Sequence, residues 1–494
     1  MSPHRSLHLV PLLAAGLLLA ACTLGPDYQR PEAPLPAAFK HEQGWRTVPP
    51  RSWEASGEWW LAFDDPVLTG LLDQAAAANQ TLAQAEARFR AAEARWADAR
   101  AGYSPVLSAS VEGQRRGSDQ SRSVVTGSTV RSGRITESYG AGLNLNWMPD
   151  LWGRVRRQVE AERAGLQASA ADLAAVRLSM RVSLAQSYVR LRALDRQMAL
   201  LGETMETYDR SLELTRNQYN AGIVARSDVI QARTQAQSLR TELSDLRNQR
   251  AAEENAIAVL IGRAPSDFGL APVDRLPELP VLPATLPAVL ISRRPDVVAA
   301  ERQVASANAG IGVARAAWLP DLTLTASYGV EADRFSDLVN APVRVWSVGP
   351  SLAQTLFDGG ARRAANDLAL AGYDEQVALY RQTVLESLRE VEDALAALRY
   401  LDEQGEQQEA LLALARDNLR VVTNRYRAGM VTFLEVATAQ DLELDARRAR
   451  VRILADRLNA SIALAAALGG GWDLDDPVVQ TVVTPPRPWE DDAQ

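Results

Sequence analysis

Residues 85–105 read AEARFRAAEARWADARAGYSP, and 215 positions further on residues 300–320 read AERQVASANAGIGVARAAWLP. Both strings open on Ala-Glu, carry Ala-Arg near the end (Ala99-Arg100, Ala314-Arg315) and close on an aromatic residue two before proline. Their apolar phase also coincides: Leu82, Ala85, Phe89, Ala92, Trp96, Ala99 and Tyr103 fall on Val297, Ala300, Val304, Ala307, Ile311, Ala314 and Trp318. Three-four spacing of this kind is one face of a helix. Further along, Gly153 matches Gly360, Tyr219-Asn220-Ala221-Gly222 matches Tyr426-Arg427-Ala428-Gly429, and Ile261-Gly262 matches Leu468-Gly469, now at an offset of 207. The chain is a tandem duplication, and a repeat decides the fold before any other signal. The change from 215 to 207 gives the first copy eight extra residues between Pro105 and Gly153, in the Gly, Ser, Thr and Arg-rich run 113–136, and predicts an enlarged hairpin loop there.

Each copy follows one plan. Copy one, 65–275, opens with a helix whose cap is Asp65 and whose first turn holds Pro66, and which runs to about Gly102. A hairpin over about 105–147, a long helix 153–219 and a helix 225–262 follow. Copy two, 276–472, repeats a helix, a hairpin at about 320–353, a long helix 360–426 and a helix 432–468. From Gly153 to Tyr219 there is no proline, and Leu173, Val176, Met180, Leu184, Ser187, Leu191, Leu194, Met198, Leu201, Met205, Tyr208 and Leu212 hold a coiled-coil spacing. Such a helix reaches roughly 100 Å. Val229, Ala232, Ala236, Leu239, Leu243 and Leu246 continue the seam, and Gly262 suits a C-terminal cap. In copy two, 404–408 reads as an interruption after Val384, Leu388, Val391, Leu395 and Leu398.

The first residues are an address. Arg5 followed by the apolar run from Val10 to Ala21 reads as a secretory signal over 1–21, too short to span a bilayer. It ends in Leu19-Ala20-Ala21-Cys22, which resembles a bacterial lipoprotein cleavage box. This makes Cys22, the sole cysteine, the acylated first residue of an N-terminal segment 22–64. A disulfide is impossible, so stability comes from packing and assembly. A tail, 473–494, ends the chain.

The hairpins alternate strictly. Tyr139, Ala141, Leu143, Leu145 and Trp147 alternate with Gly140, Gly142, Asn144 and Asn146, while Leu322, Leu324, Ala326 and Tyr328 alternate with Thr323, Thr325 and Ser327. Trp346, Val348, Pro350 and Leu352 do the same. Period two means a half-buried hairpin on a soluble core, or a membrane-spanning one with Tyr139, Trp147, Tyr328 and Trp346 at the lipid interface. The lipoprotein signal and the committed helix seams favour the second. Four strands cannot close a barrel, and open edges cannot face lipid. Several chains therefore share one barrel, eight strands in a dimer or twelve in a trimer.

Composition excludes other classes. With 53 Lys+Arg against 61 Asp+Glu the net charge is −8, and no basic stripe points to nucleic acid. His4 and His8 fall in the signal and His41 stands alone, so no metal cluster is expected. There is no phosphate-binding loop, no Gly-x-Ser-x-Gly, and one lysine, Lys40, without a serine three before it. Paired carboxylates such as Asp64-Asp65, Glu253-Glu254 and Asp475-Asp476 read as caps and solvated faces. A catalyst is not expected. A periplasmic lipid-anchored coiled-coil scaffold would share the helices and the anchor, but not duplicated strands with aromatic edges.

Several strings together resemble the outer membrane efflux protein family, the TolC-like ducts, in the OprM-like lipoprotein branch serving resistance-nodulation-division pumps. They are CTLGPDYQRP over 22–31, Trp59-Trp60 with Phe63-Asp64-Asp65-Pro66, Arg293-Arg294-Pro295-Asp296 with Ala300-Glu301 and Ala307-Asn308-Ala309, Leu356-Phe357-Asp358-Gly359-Gly360, and ALGGGW over 467–472. The resemblance implies a mixed α/β membrane protein, mostly α: a homotrimeric twelve-stranded outer-membrane barrel continued by a periplasmic helical tunnel. It implies no cofactor beyond N-acyl and S-diacylglycerol groups at Cys22. A periplasmic adaptor and an inner-membrane pump would be the partners. The tunnel mouth would lie at 219–228 and 426–435, with Tyr219, Gly222, Ser227, Asp228, Tyr426 and Gly429 at the tip. Leu434, Glu435 and Thr438 map onto the family's gate, and Thr438 stands where related ducts carry aspartate. Cargo would be drugs or other small toxic compounds, with secreted protein or metal ions as alternatives.

Overall fold

The computed structural model describes residues 24–33, 39–40, 58–125, 128–280, 294–340 and 342–470, with backbone only over 118–134. The signal, Cys22, Arg293, Gly471, Trp472 and the tail lie outside the described residues.

Asp65 caps the first helix, α1 (Pro66–Ala78): its Oδ1 accepts from the N–H groups of Val67 at 2.9 Å and Leu68 at 3.1 Å. Its Oδ2 accepts from the Tyr188 hydroxyl at 2.7 Å. Burial, reinforced by this bond, pushes the Tyr188 pKa up to about 12. Asp65→Ala removes a cap worth about 1 kcal/mol and orphans a buried hydroxyl at about 1–3 kcal/mol more. Tyr188→Phe removes only the bond, so thermal unfolding of the two variants should rank Asp65→Ala well below Tyr188→Phe.

The single helix expected from Asp65 to Gly102 is two. Asn79, extended at ψ 124, separates α1 from α2 (Gln80–Ala101). Its Oδ1 accepts from Leu82 N–H at 2.9 Å, and its Nδ2 donates to Leu260 O at 2.7 Å. A side chain that caps the next helix competes with continuing the last one. The break also admits Gly262 at φ +71, whose missing Cβ would lie 2.2 Å from Ala78 O.

Helix α3 (Arg154–Asn220) has 67 residues and α4 (Arg226–Leu260) has 35. In copy two α5 (Pro295–Ala316) precedes the second hairpin, and α7 (Ala361–Arg427) and α8 (Phe433–Ala467) again have 67 and 35. The α3 seam is committed inward: Met180, Leu184, Ser187, Leu191, Leu194, Leu201, Tyr208 and Leu212 are buried. Leu194, Leu200, Leu201 and Tyr208 pack with Ala236, Leu239 and Leu246 of α4 and Leu444 of α8. Helix α7 runs unbroken through 404–408, contrary to the expected interruption. One glycine, Gly405, costs a helix only about 1 kcal/mol, and the neighbouring helix holds the stretch: Gln408 Nε2 donates to Ala446 O at 3.0 Å and Arg457 pairs with Asp402. No helix among the described residues is both long and apolar enough to cross a bilayer.

The strands form one antiparallel sheet in the order β1 (Val106–Val125), β2 (Ser128–Trp147), β3 (Asp321–Ala332), β4 (Val343–Ala353). The eight extra residues do not form a larger loop. They lengthen the first pair to 20 residues per strand against 12 and 11 in the second: the backbone pairs from Ser118 with Arg134 out to Val125 with Ser128, and pairing context overrides local strand propensity. A short α6 (Phe335–Asn340) joins β3 to β4.

The chain divides into two compact units that cut across the repeats. One comprises 1–31, 91–166 and 302–378, including the sheet; the other comprises 32–90, 167–301 and 379–494. Each unit draws elements from both copies, because a single copy cannot bury its own helical stripes.

Candidate functional site

Two features concentrate what the fold leaves unpaired: an apolar sheet face and a pair of helical turns. Cross-strand neighbours share a face. Leu107, Leu145, Ala326 and Val348 lie in one row, and Ala109, Leu143, Tyr328 and Trp346 in the next. Val348 and Trp346 are each 74% exposed. The opposite face carries Ser108, Asn144, Ser327 and Ser347, bonded among themselves: Asn144 Nδ2 donates to Ser110 Oγ at 3.0 Å, and the Ser327 and Ser347 hydroxyls lie 2.8 Å apart. Tyr139, Trp147, Tyr328 and Trp346 all fall on the apolar face by strand parity. Tyr139 packs edge-on against Phe335, ring centroids 5.8 Å apart, whereas Trp147 sits at the other end of β2 and donates from Nε1 to Tyr103 O at 2.9 Å. Among the described residues, strands β1 and β4 have open edges.

The turns are built alike. After α3, Ile223 N–H donates to Gln218 O and Gly222 N–H to Tyr219 O; after α7, Met430 N–H donates to Arg425 O and Gly429 N–H to Tyr426 O. Both are Schellman caps, with the glycines at φ +74 and +72. The side chains differ between copies. Tyr219 is 43% exposed, whereas Tyr426 is 6% exposed. The Tyr426 hydroxyl donates to Gln218 Oε1 at 2.7 Å, and its ring meets Phe433 edge-on. Phe433, Val436 and Ala437 join Leu212, Ala232 and Tyr426 in a buried cluster. This turns Leu434, Glu435 and Thr438 outward; Leu434 is 56% exposed. The Thr438 hydroxyl bends back onto Leu434 O at 2.9 Å. Ser227 is exposed and Asp228 half-buried in the first turn of α4.

Leu434 and Thr438 line a groove of about 490 Å³ between α4 and α8, with Tyr208, Glu242, Asp441 and Arg448. Asp441 escaped sequence reasoning. It sits one turn beyond Thr438, and its Oδ1 accepts from Tyr208 at 3.2 Å and Gln235 Nε2 at 2.9 Å. Burial, and then the Asp441 charge, hold the Tyr208 pKa far above the phenol range. Arg448 bridges to Glu242 across the same groove. The signal available was spacing: 434, 438, 441 and 445 recur at helical intervals on one face. Among the described residues no cluster of potential metal ligands occurs.

Over residues 71–263 and 286–470 the chain matches the family described as outer membrane efflux protein. The pyoverdine export outer membrane protein OpmQ of Pseudomonas aeruginosa is 32% identical over 468 residues, covering 94% of this chain and 97% of that relative. The antibiotic efflux pump outer membrane protein ArpC of Pseudomonas putida is 31% identical over 467 residues, covering 94% and 96%. Among solved structures, the outer-membrane channel OprN superposes with a TM-score of 0.84 at 31% identity, covering 91% of this chain and 100% of that one.

Proposed function

Because this chain belongs to the outer membrane efflux protein family, we propose that it is the outer-membrane exit duct of a tripartite efflux system. It conducts small toxic organic compounds passively from an inner-membrane pump of the resistance-nodulation-division class, through a periplasmic adaptor, to the exterior. The observation that carries this reading is the sheet: four strands, an exposed apolar face, a self-bonded polar face and two open edges. Such a sheet is stable in a bilayer only when β4 of one copy pairs with β1 of the next. Three copies give a twelve-stranded barrel with the serine face toward a wet lumen.

The long helices continue the duct into the periplasm, and the two Schellman turns form its tip, where Tyr219, Gly222, Ser227, Asp228, Tyr426 and Gly429 meet the adaptor. Leu434, Glu435 and Thr438 form the gate, an apolar ring beside a carboxylate ring. Asp441 adds a second carboxylate that Thr438 lacks. The protein performs no catalysis and needs no cofactor; Cys22 carries the N-acyl and S-diacylglycerol anchor.

Unheated outer-membrane extracts should contain a species near three times the 53.7 kDa chain that collapses to monomer on boiling. Deleting the gene should sensitise the cell to several unrelated organic toxicants. A protein extracted by carbonate as a monomer would instead be a peripheral scaffold, and the duct reading would fail.

A further inference from the structure

Helix α3 begins with a buried arginine, Arg157, two of whose partners come from residues 24–27, more than a hundred positions before it. The Arg157 side chain is 5% exposed. Its Nε donates to Leu24 O at 3.0 Å and its Nη2 lies 3.1 Å from Asp27 Oδ1, contacts spanning more than a hundred residues. Its Nη1 pairs with Glu160 at 2.8 Å. Burial opposes this charge, yet the bonds to Glu160 and Asp27 carry its pKa above the usual guanidinium value. From α5, Asn308 Nδ2 donates to Pro26 O at 3.0 Å.

The fit is closed by two glycines. Gly25, at φ +103, would place a Cβ 2.6 Å from Gly312 Cα, and a Cβ on Gly312 would lie 2.7 Å from both Leu24 O and Arg157 Cγ. Backbone carbonyls, a buried donor fork and glycine against glycine form a built seat for an extended peptide.

We infer that Arg157, Asn308 and Gly312 form a docking site for the chain's own residues 24–28, and that this site fixes where the lipid anchor joins the fold. The inference rests on the reading of Cys22 as acylated. Two residues of chain reach at most about 7 Å, so a docked Leu24 holds the acyl chains beside the start of α3 and the end of α5. There β2 gives way to α3 and α5 to β3, and Trp147 bonds to Tyr103 O and Trp152 to Pro320 O. Indole at a membrane boundary sits in the headgroup layer. The seat and the aromatic residues place that boundary at the same junction.

Two neighbouring glycines of α5 give a matched test, since a Cβ on Gly310 meets nothing within 4 Å. Alanine raises helix propensity at either position to the same degree. Outer-membrane particles holding the full chain are digested with endoproteinase Asp-N, which cuts before Asp27, and the 22–26 peptide, extracted from the particles with organic solvent, is weighed. Wild type and Gly310→Ala should resist, while Gly312→Ala and, from the other side, Gly25→Ala should be cut about tenfold faster, all four retaining the heat-resistant trimer. Equal rates for Gly310→Ala and Gly312→Ala would overturn the docking site. If Gly312→Ala loses the trimer, Asn308→Ala, which removes one bond and adds no bulk, decides by the same digestion, and a rate equal to wild type overturns the inference. A released 22–26 peptide lacking acyl groups would overturn the anchor and its placement while leaving the seat intact; an acylated peptide with unchanged rates would do the reverse.

Discussion

Leu434→Ala should raise the conductance of the purified duct in planar bilayers severalfold over a wild type expected to be nearly closed. Leu434 is more than half exposed although its neighbours Phe433 and Val436 are buried at 2% and 3%, so truncating it costs the protomer little. A single exposed leucine needs no cover of its own; on the proposed gate reading, three symmetry-related leucines would meet one another at the mouth. Phe433→Ala is the contrasting control. It empties the cluster formed with Leu212, Ala232, Tyr426, Val436 and Ala437, costs about 3–5 kcal/mol, and should destabilise the tip rather than gate it. A wild type already conducting freely, with Leu434→Ala no different, would remove the gate from this turn.

Asp195→Ala should lower the stability of the assembled protein by about 3–5 kcal/mol, the cost of breaking a buried charge cluster from one side. The Asp195 side chain is 1% exposed, and it accepts from Arg192 Nη1 at 3.0 Å, Arg250 Nε at 2.6 Å and Val273 N–H at 3.2 Å. Arg192 and Arg250 also donate to Ala271 O and Leu270 O, so the same cluster pins the segment that leaves α4. Without Asp195 two arginines lose their shared anion. Asp195→Asn keeps the shape and should lose less; Asp195→Ala combined with Arg250→Met removes a stranded charge and should recover part of the loss. The midpoint of urea-induced trimer dissociation measures all three. An additive double variant would mean that the charges are not coupled.

The residues behind these two expectations were unequally legible. Leu434 was singled out by the family resemblance, and the repeat adds that the first copy carries Ser227 where the second carries Leu434. Asp195 gave no such sign, because nothing in its neighbourhood announces Arg250 or Val273 as partners. Asp441 was missed for a related reason: its helical spacing from Leu434 was visible, but the Tyr208 and Gln235 donors that give it a role come from other helices. Parity put Tyr139 and Trp147 on one face of β2, which strand geometry enforces; the register that brings Tyr328 and Trp346 onto the same face comes from the pairing.

What the sequence by itself determined is whatever local geometry dictates. The duplication, the helical phase, the Asp65 cap, the glycine-closed turns and the two-faced strands all follow from contacts between residues a few positions apart. The tertiary structure alone decided the break at Asn79, whose side chain reaches Leu260 O; the unbroken path of α7 past Gly405; the units that mix the two copies; and the seat in which Arg157 and Asn308 hold Leu24, Pro26 and Asp27. Each of these joins residues far apart in the chain, as far as 282 positions for Asn308 and Pro26, and no periodicity in one sequence carries that information.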